Sequence, residues 1–502
     1  MTRTDLRSSC SSAHPEAPHR RADCLAVDPP SPINRLPMSP LLASIRPELA
    51  WEPFTPTRKS RWSVEKAAHL YRRAAFGAPW DVIEAAAALT PVEAVENVIR
   101  GRDGIERFEG DIARLTLGTL ESNNSRELQG LWMYRLLNSP HPLKEKLTLF
   151  WHNHFATSHA KVNSVRLMHS QNDTLRRYAL GSFAGLLREM TFDPAMLIWL
   201  DSNTNRKGAP NENYAREVFE LFSLSPGHYT ENDIKEAALA LTGWSAKDEQ
   251  PFFNPAEYDA GEKTIFGQKG AFTAGDVVRL ALSQPACARF IVRKLFRELI
   301  NDHDLPPDAL IEPLAIEYRL RDYDTGWLVK RMLSSWLFYS EASIHQRIKS
   351  PIEFVVGTVR SLSGTISPLQ ASEVCAQLGQ SLYFPPNVKG WDGGREWISS
   401  TTLLLRQNVA FEITKGRDEA ARLDPARLAV KYQAKTPDQI ADLFLNMFVQ
   451  QTQSPAREQI VTQLKAEIES ASDRPFAQRE NQARLARLAA HLVLALPEAQ
   501  LS

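Results

Sequence analysis

The chain has 502 residues, 43% of them hydrophobic and 24% charged, with 59 Lys+Arg balancing 59 Asp+Glu. That composition is globular and excludes wholesale disorder, and zero net charge gives no general pull towards nucleic acid or an acidic membrane. No run of about 18 apolar residues occurs, so no membrane span is expected, and the length fits one large or two to three ordinary domains.

Residues 1–45 are rich in Ser, Pro and Arg and predict a disordered leader. Arg20-Arg21 is followed by Ala22-Asp23-Cys24-Leu25, too polar for the apolar part of a signal peptide, so the default expectation is a cytoplasmic protein. Met38 offers an alternative start. The cysteines, Cys10, Cys24, Cys287 and Cys375, form no C-x-x-C pair, which argues for reduced thiols over a zinc ribbon or a redox motif.

Helix signals then dominate. Ser63 precedes a helical run from Val64 that Gly77 closes. Thr90-Pro91-Val92-Glu93 is a capping box with proline at the first helical position, and Gly101 ends that helix. Leu143, Leu147, Phe150 and Trp151 are helically spaced and lead into His152-Asn153-His154-Phe155. Two histidines suggest a metal, but residues i and i+2 of a helix point about 200° apart, so His152 and His154 share an ion only if the chain is extended there. The alternative is histidines packed in a helical core.

Asp201, Asn203, Asn205 and Glu212 stand at positions 1, 3, 5 and 12 of a twelve-residue loop, the oxygen spacing of an EF-hand-type calcium site. Arg206 takes the place of the usual glycine and Lys207 sets a cation beside the proposed ion. The competing reading is an Asx-turn loop that caps the next helix through Asn211. In that helix Glu212 and Arg216 are spaced i, i+4 with the acid first, the favourable order, and Glu217 follows.

Thr230-Glu231-Asn232-Asp233 opens another helix, stopped by Gly243, and Lys263-Thr264-Ile265-Phe266 before Gly267 predicts one arm of a small hairpin. Asp259-Ala260-Gly261-Glu262-Lys263-Thr264 lacks the upstream glycine and Gly-Lys pair of a phosphate loop, and neither G-x-S-x-G nor G-x-G-x-x-G occurs. Proline and glycine cluster at 385–394 around Asn387, Lys389 and Trp391, with Trp397 beyond. Such a loop either stacks on a sugar or peptide or is anchored to the body by its indoles. Thr436-Pro437-Asp438-Gln439 starts a helix near the C-terminus. The fold expectation is mainly α: a multi-helix body over 46–425 with at most a small β-hairpin, then a helical segment over 426–502.

These residues carry a resemblance. Ala67-Ala68-His69-Leu70 with Arg72-Arg73 and Phe76-Gly77, Phe150 to Phe155, Asn211 to Glu217, Tyr229 to Trp244, Lys349-Ser350-Pro351 with Glu353, and Pro386 to Trp391 resemble the bacterial family called domain of unknown function 1800. The likeness runs from about Trp51 to Gln500. No activity is implied by it. Members often look like neighbours of a sulfatase-related family, which implies envelope or polysaccharide work and a partner of that kind. Here Tyr258 stands where members commonly carry histidine, which puts a metal at that corner in doubt.

The motifs are expected to converge on one polar cleft lined by His152, His154, Asn211, Glu212, Arg216, Glu217, Asn387, Lys389 and Trp391. A non-catalytic binding or assembly protein beside an enzyme partner is the favoured class. The alternative is a hydrolase acting on a glycan or other polymer with Glu212 or Glu217 as general acid or base.

Overall fold

The computed structural model describes residues 40–416, 423–450, 455–470 and 478–502. The disordered leader expected at 1–45 falls outside these up to residue 39. Residues 40–45 are ordered: Pro40–Ala43 is a helical turn that buries Leu42. The described residues form one compact unit, mainly helical.

The capping signals read from sequence place their helices. Ser63 Oγ accepts from Lys66 N–H at the start of Val64–Ala75. Reciprocal capping boxes open Pro91–Arg100, Glu231–Ala240 and Pro437–Phe448. Each satisfies amide groups that a helix start otherwise leaves unpaired.

The hairpin at Lys263 is present as β3 (Lys263–Ile265) against β4 (Gln268–Gly270). A second one, β1 (Trp244–Lys247) against β2 (Gln250–Phe253), precedes it. Its tip, Asp248-Glu249, holds two residues at positive φ without the glycine that normally marks such a turn, so local chemistry did not announce it.

Two large hydrophobic cores organise the molecule. One is built from residues between Leu42 and Ala342, the other from Phe76, residues 128–195 and residues 352–499. The stretch 426–502 thus shares its core with residues 352–413. The helix Pro142–His154 belongs to both. Leu143, Leu147 and Trp151 enter the first core and Leu149 the second, so the helix is buried on most sides. A polar stripe on such a helix must find polar partners inside the protein, and this one does.

Candidate functional site

Lys146, Leu149, Phe150 and Asn153 follow the i, i+3, i+4, i+7 spacing of one helix face. That face forms the wall of a cleft of about 550 Å³. The helix Pro285–Leu299 contributes Lys294, Arg297 and Glu298, and Asp302 follows it. Arg347, Ser350 and Glu353 complete the floor, and the loop from Lys389 to Trp397 forms the opposite wall.

The floor is a closed ionic network. Lys146 pairs with Glu353 and, at 3.4 Å, with Glu298. Arg347 reaches Glu353 at 2.9 Å and Glu298 at 3.2 Å, with Asp302 at 3.8 Å. The second Glu353 oxygen accepts from Ser350 N–H, closing the cap of Pro351–Ser361. Burial alone would raise the Glu353 pKa, but Arg347 and Lys146 hold it well below the usual carboxylate range. These charges stay ionised because each has a partner.

The wall loop is fastened rather than free. Trp391 and Trp397 are each 8% exposed and pack with Ile348. The Asn153 side-chain amide bonds both the N–H and the carbonyl of Trp391. Asn387 accepts from Lys389 N–H and shapes the turn, and Lys389 pairs with Asp392. The indoles therefore anchor the loop.

His154 lies on the other side of the helix end. Its Nε2 is 3.1 Å from the Phe222 carbonyl and its Nδ1 is 2.9 Å from Lys294 Nζ. A carbonyl only accepts, so Nε2 carries the hydrogen and Nδ1 offers a lone pair to the amine. Phe222 belongs to the π-helical turn Val218–Ser223, whose last carbonyls lack helical partners. Burial, then Lys294, keeps His154 neutral by pulling its pKa far below the ordinary value. Lys294 Nζ also lies 5.0 Å from the Phe290 ring centroid. Burial, then Arg297 and Lys389, pulls the Lys294 pKa down to about 7.

His152 lies beneath the loop, its ring 5.9 Å from that of Trp391 and edge-on to Trp132 and Tyr383. Burial pushes its pKa down to about 3. The two histidines thus face different surroundings, as helical geometry requires.

The structure brings His154, Lys389 and Trp391 to the cleft, with His152 directly behind. It does not bring Asn211, Glu212, Arg216 or Glu217 there, and Asn387 stands at the rim turn. The single hollow expected from the sequence is therefore split. Asn211 makes the Asx-turn, accepting from Asn213 N–H at 2.9 Å. Arg216 bridges Glu212 and Glu231 at 3.1 and 2.8 Å. Burial, then Glu220, raises the Glu217 pKa to about 7. The far end of this element touches a cleft residue, since the Phe222 carbonyl holds His154.

The oxygens of the calcium-like loop already have partners. Asp201 pairs with Lys161 at 2.7 Å, and Asn203 Oδ1 accepts from Ala246 N–H. Asn205 Oδ1 accepts from Asn211 N–H while its Nδ2 donates to the Ala238 carbonyl. Glu212 holds Arg216. Among the described residues no group of three or more His, Cys, Asp or Glu side chains is placed to hold a metal ion.

Sequence reasoning missed Lys146, Asn153, Lys294, Arg297, Glu298, Asp302, Arg347 and Glu353. The signal for the first two was the i, i+7 polar stripe inside an apolar helix. Lys294 and Arg297 carried none, since basic residues on an amphipathic helix usually face solvent.

Residues 69–501 match the model of a family described as "Protein of unknown function (DUF1800)". No curated protein and no solved structure matches the chain.

Proposed function

This chain belongs to the DUF1800 family of unknown function, and we propose that it is a non-catalytic binding protein that takes an anionic polymer, such as a sulfated glycan, in the cleft beside Trp391. The supporting observation is a surplus of unengaged cations. Arg297 and Arg395 line the cleft with no carboxylate partner among the described residues, and Lys294 meets His154 and the Phe290 ring but no carboxylate. Against them stands one unengaged acid, Glu396; Glu298, Asp302 and Glu353 belong to the floor network. Guanidinium groups bind sulfate and carboxylate through paired N–H donors, and both arginines are exposed and open to a polymer. A sulfatase-related partner is part of this proposal, since its substrates would share this chemistry.

A hydrolytic reading keeps one supporting observation, the raised pKa of Glu217 beside Glu220. Glu212 and Glu217 lie outside the cleft, and Glu212 is engaged by Arg216, so binding is the better supported reading.

Anisotropy of fluorescein-labelled dextran sulfate, with neutral dextran as control, tests the proposal. The wild-type chain binds the sulfated polymer only, and more weakly as salt rises. The Arg297→Ala/Arg395→Ala double variant binds about tenfold or more weakly, the effect of ~1.4 kcal/mol. Equal binding by the two chains contradicts the proposal.

A further inference from the structure

Lys294 occupies an unusual position for a lysine in a polar cleft. It is half-buried and has no carboxylate partner among the described residues. Glu298, one turn further along the same helix, is turned to Lys146 and Arg347. The amine faces Phe290, the lone pair of His154 Nδ1, and the cationic neighbours Arg297 and Lys389. An ammonium gains little there, because no anion is close enough to stabilise it. A lysine with a pKa of about 7 is about half free amine at neutral pH, whereas an ordinary lysine is less than about 0.1% free. A desolvated amine beside other cations is the standard way a protein makes a lysine nucleophilic.

We propose that Lys294 captures a carbonyl: it forms an imine with an aldehyde or ketone that also carries a phosphate, sulfate or carboxylate, the anionic group resting on Arg297 and Arg395. The second half of this statement rests on the reading of the cleft as an anion site; the first rests on the Lys294–His154 geometry. The Nζ lone pair attacks the carbonyl carbon, a C–N bond forms, and the π pair moves to oxygen. The proton shed by nitrogen passes to that oxygen. A second proton leaves nitrogen as the C–O bond breaks, so C=O and the amine become C=N and water. No oxidant or reductant is required.

The fixed hydrogen bond from His154 Nε2 to the Phe222 carbonyl is the positioning element. It keeps Nδ1 unprotonated and aimed at the amine, which turns the nitrogen lone pair away from the histidine. Lysines on the exposed surface, such as Lys207 and Lys435, have no such arrangement.

The test uses pyridoxal 5′-phosphate as a probe aldehyde on the full chain. The imine is reduced with borohydride and each lysine's occupancy is read by peptide mass spectrometry. Lys294 is expected to be labelled at least about tenfold more than Lys207 and Lys435 at pH 7, a threshold well inside its several-hundredfold greater free-amine fraction. Pyridoxal without phosphate labels it less, and Lys294→Arg abolishes the label while the melting profile stays that of the wild type. Labelling of Lys294 no greater than that of Lys207 in the wild-type chain overturns the proposal without recourse to any variant. If Lys294 is labelled preferentially while dextran sulfate fails to bind, the imine site stands and the polymer-binding reading falls.

Discussion

Asn153 and Trp391 hold one another at two points: Asn153 Oδ1 accepts from the Trp391 N–H at 2.7 Å, and Asn153 Nδ2 donates to the Trp391 carbonyl at 3.2 Å. A side-chain amide here does what a neighbouring strand would do, pairing both polar groups of one residue. Gly390 makes this approach possible. Its φ is +85°, and a Cβ there would lie 2.5 Å from the Asn153 carbonyl oxygen.

Gly390→Ala should therefore lift the loop from the 142–154 helix. The left-handed backbone alone costs ~1–2 kcal/mol with a Cβ, and the clash adds to it. Urea denaturation reads the loss, and trypsin should cut faster at Lys389 and Arg395. Asn153→Leu should lower stability by ~1–3 kcal/mol through two lost bonds. Unchanged trypsin cleavage in both variants would show that the clamp does not hold the loop.

The buried histidines set the acid limit of the fold. His152 titrates near 3 in the native chain, against about 6.5 unfolded. Below pH 6.5 the unfolded chain therefore takes up a proton that the native chain refuses. Stability is lost as pH falls, by ~1.4 kcal/mol per pH unit for this one residue. His152→Phe should lose about 2 kcal/mol less than the wild type between pH 6.5 and pH 5. Parallel curves in chemical denaturation would exclude a neutral buried His152.

Arg72 is 8% exposed, and none of its three guanidinium nitrogens has a hydrogen-bond partner among the described residues. Burial pulls its pKa down to about 9. Replacing an uncompensated buried charge by an apolar side chain of similar length relieves its desolvation. Arg72→Met should raise stability by ~1–4 kcal/mol, read from the thermal midpoint. A lower midpoint would contradict an uncompensated charge at this position.

Calcium should leave the thermal midpoint unchanged, and Glu212→Gln should respond as the wild type does. The loop oxygens that match calcium spacing are engaged with Lys161, Ala246, Asn211 and Arg216. A rise of several degrees on adding calcium would show that these bonds exchange for the ion.

Local structure was far more legible in the sequence than the site was. Ser63, Thr90, Thr230 and Thr436 announced their helices because capping is settled within four residues. The Glu212–Arg216 pair was legible for the same reason. The floor of the cleft was not. Ser350 and Glu353 entered only through the family resemblance, and a partner of Glu353, Lys146, lies 207 residues away. His154 was named as a candidate, yet its partner Lys294 is 140 residues distant. Polar residues within a helix show their spacing; which distant charge they meet is fixed only when two cores close around them.

The most direct measurement is competitive acetylation of the lysines across pH, with and without dextran sulfate, each site quantified by mass spectrometry. The account predicts that Lys294 reacts with a midpoint near pH 7, and that the sulfated polymer slows its reaction while leaving Lys207 unaffected. A Lys294 that titrates like an exposed lysine and is indifferent to the polymer would contradict it.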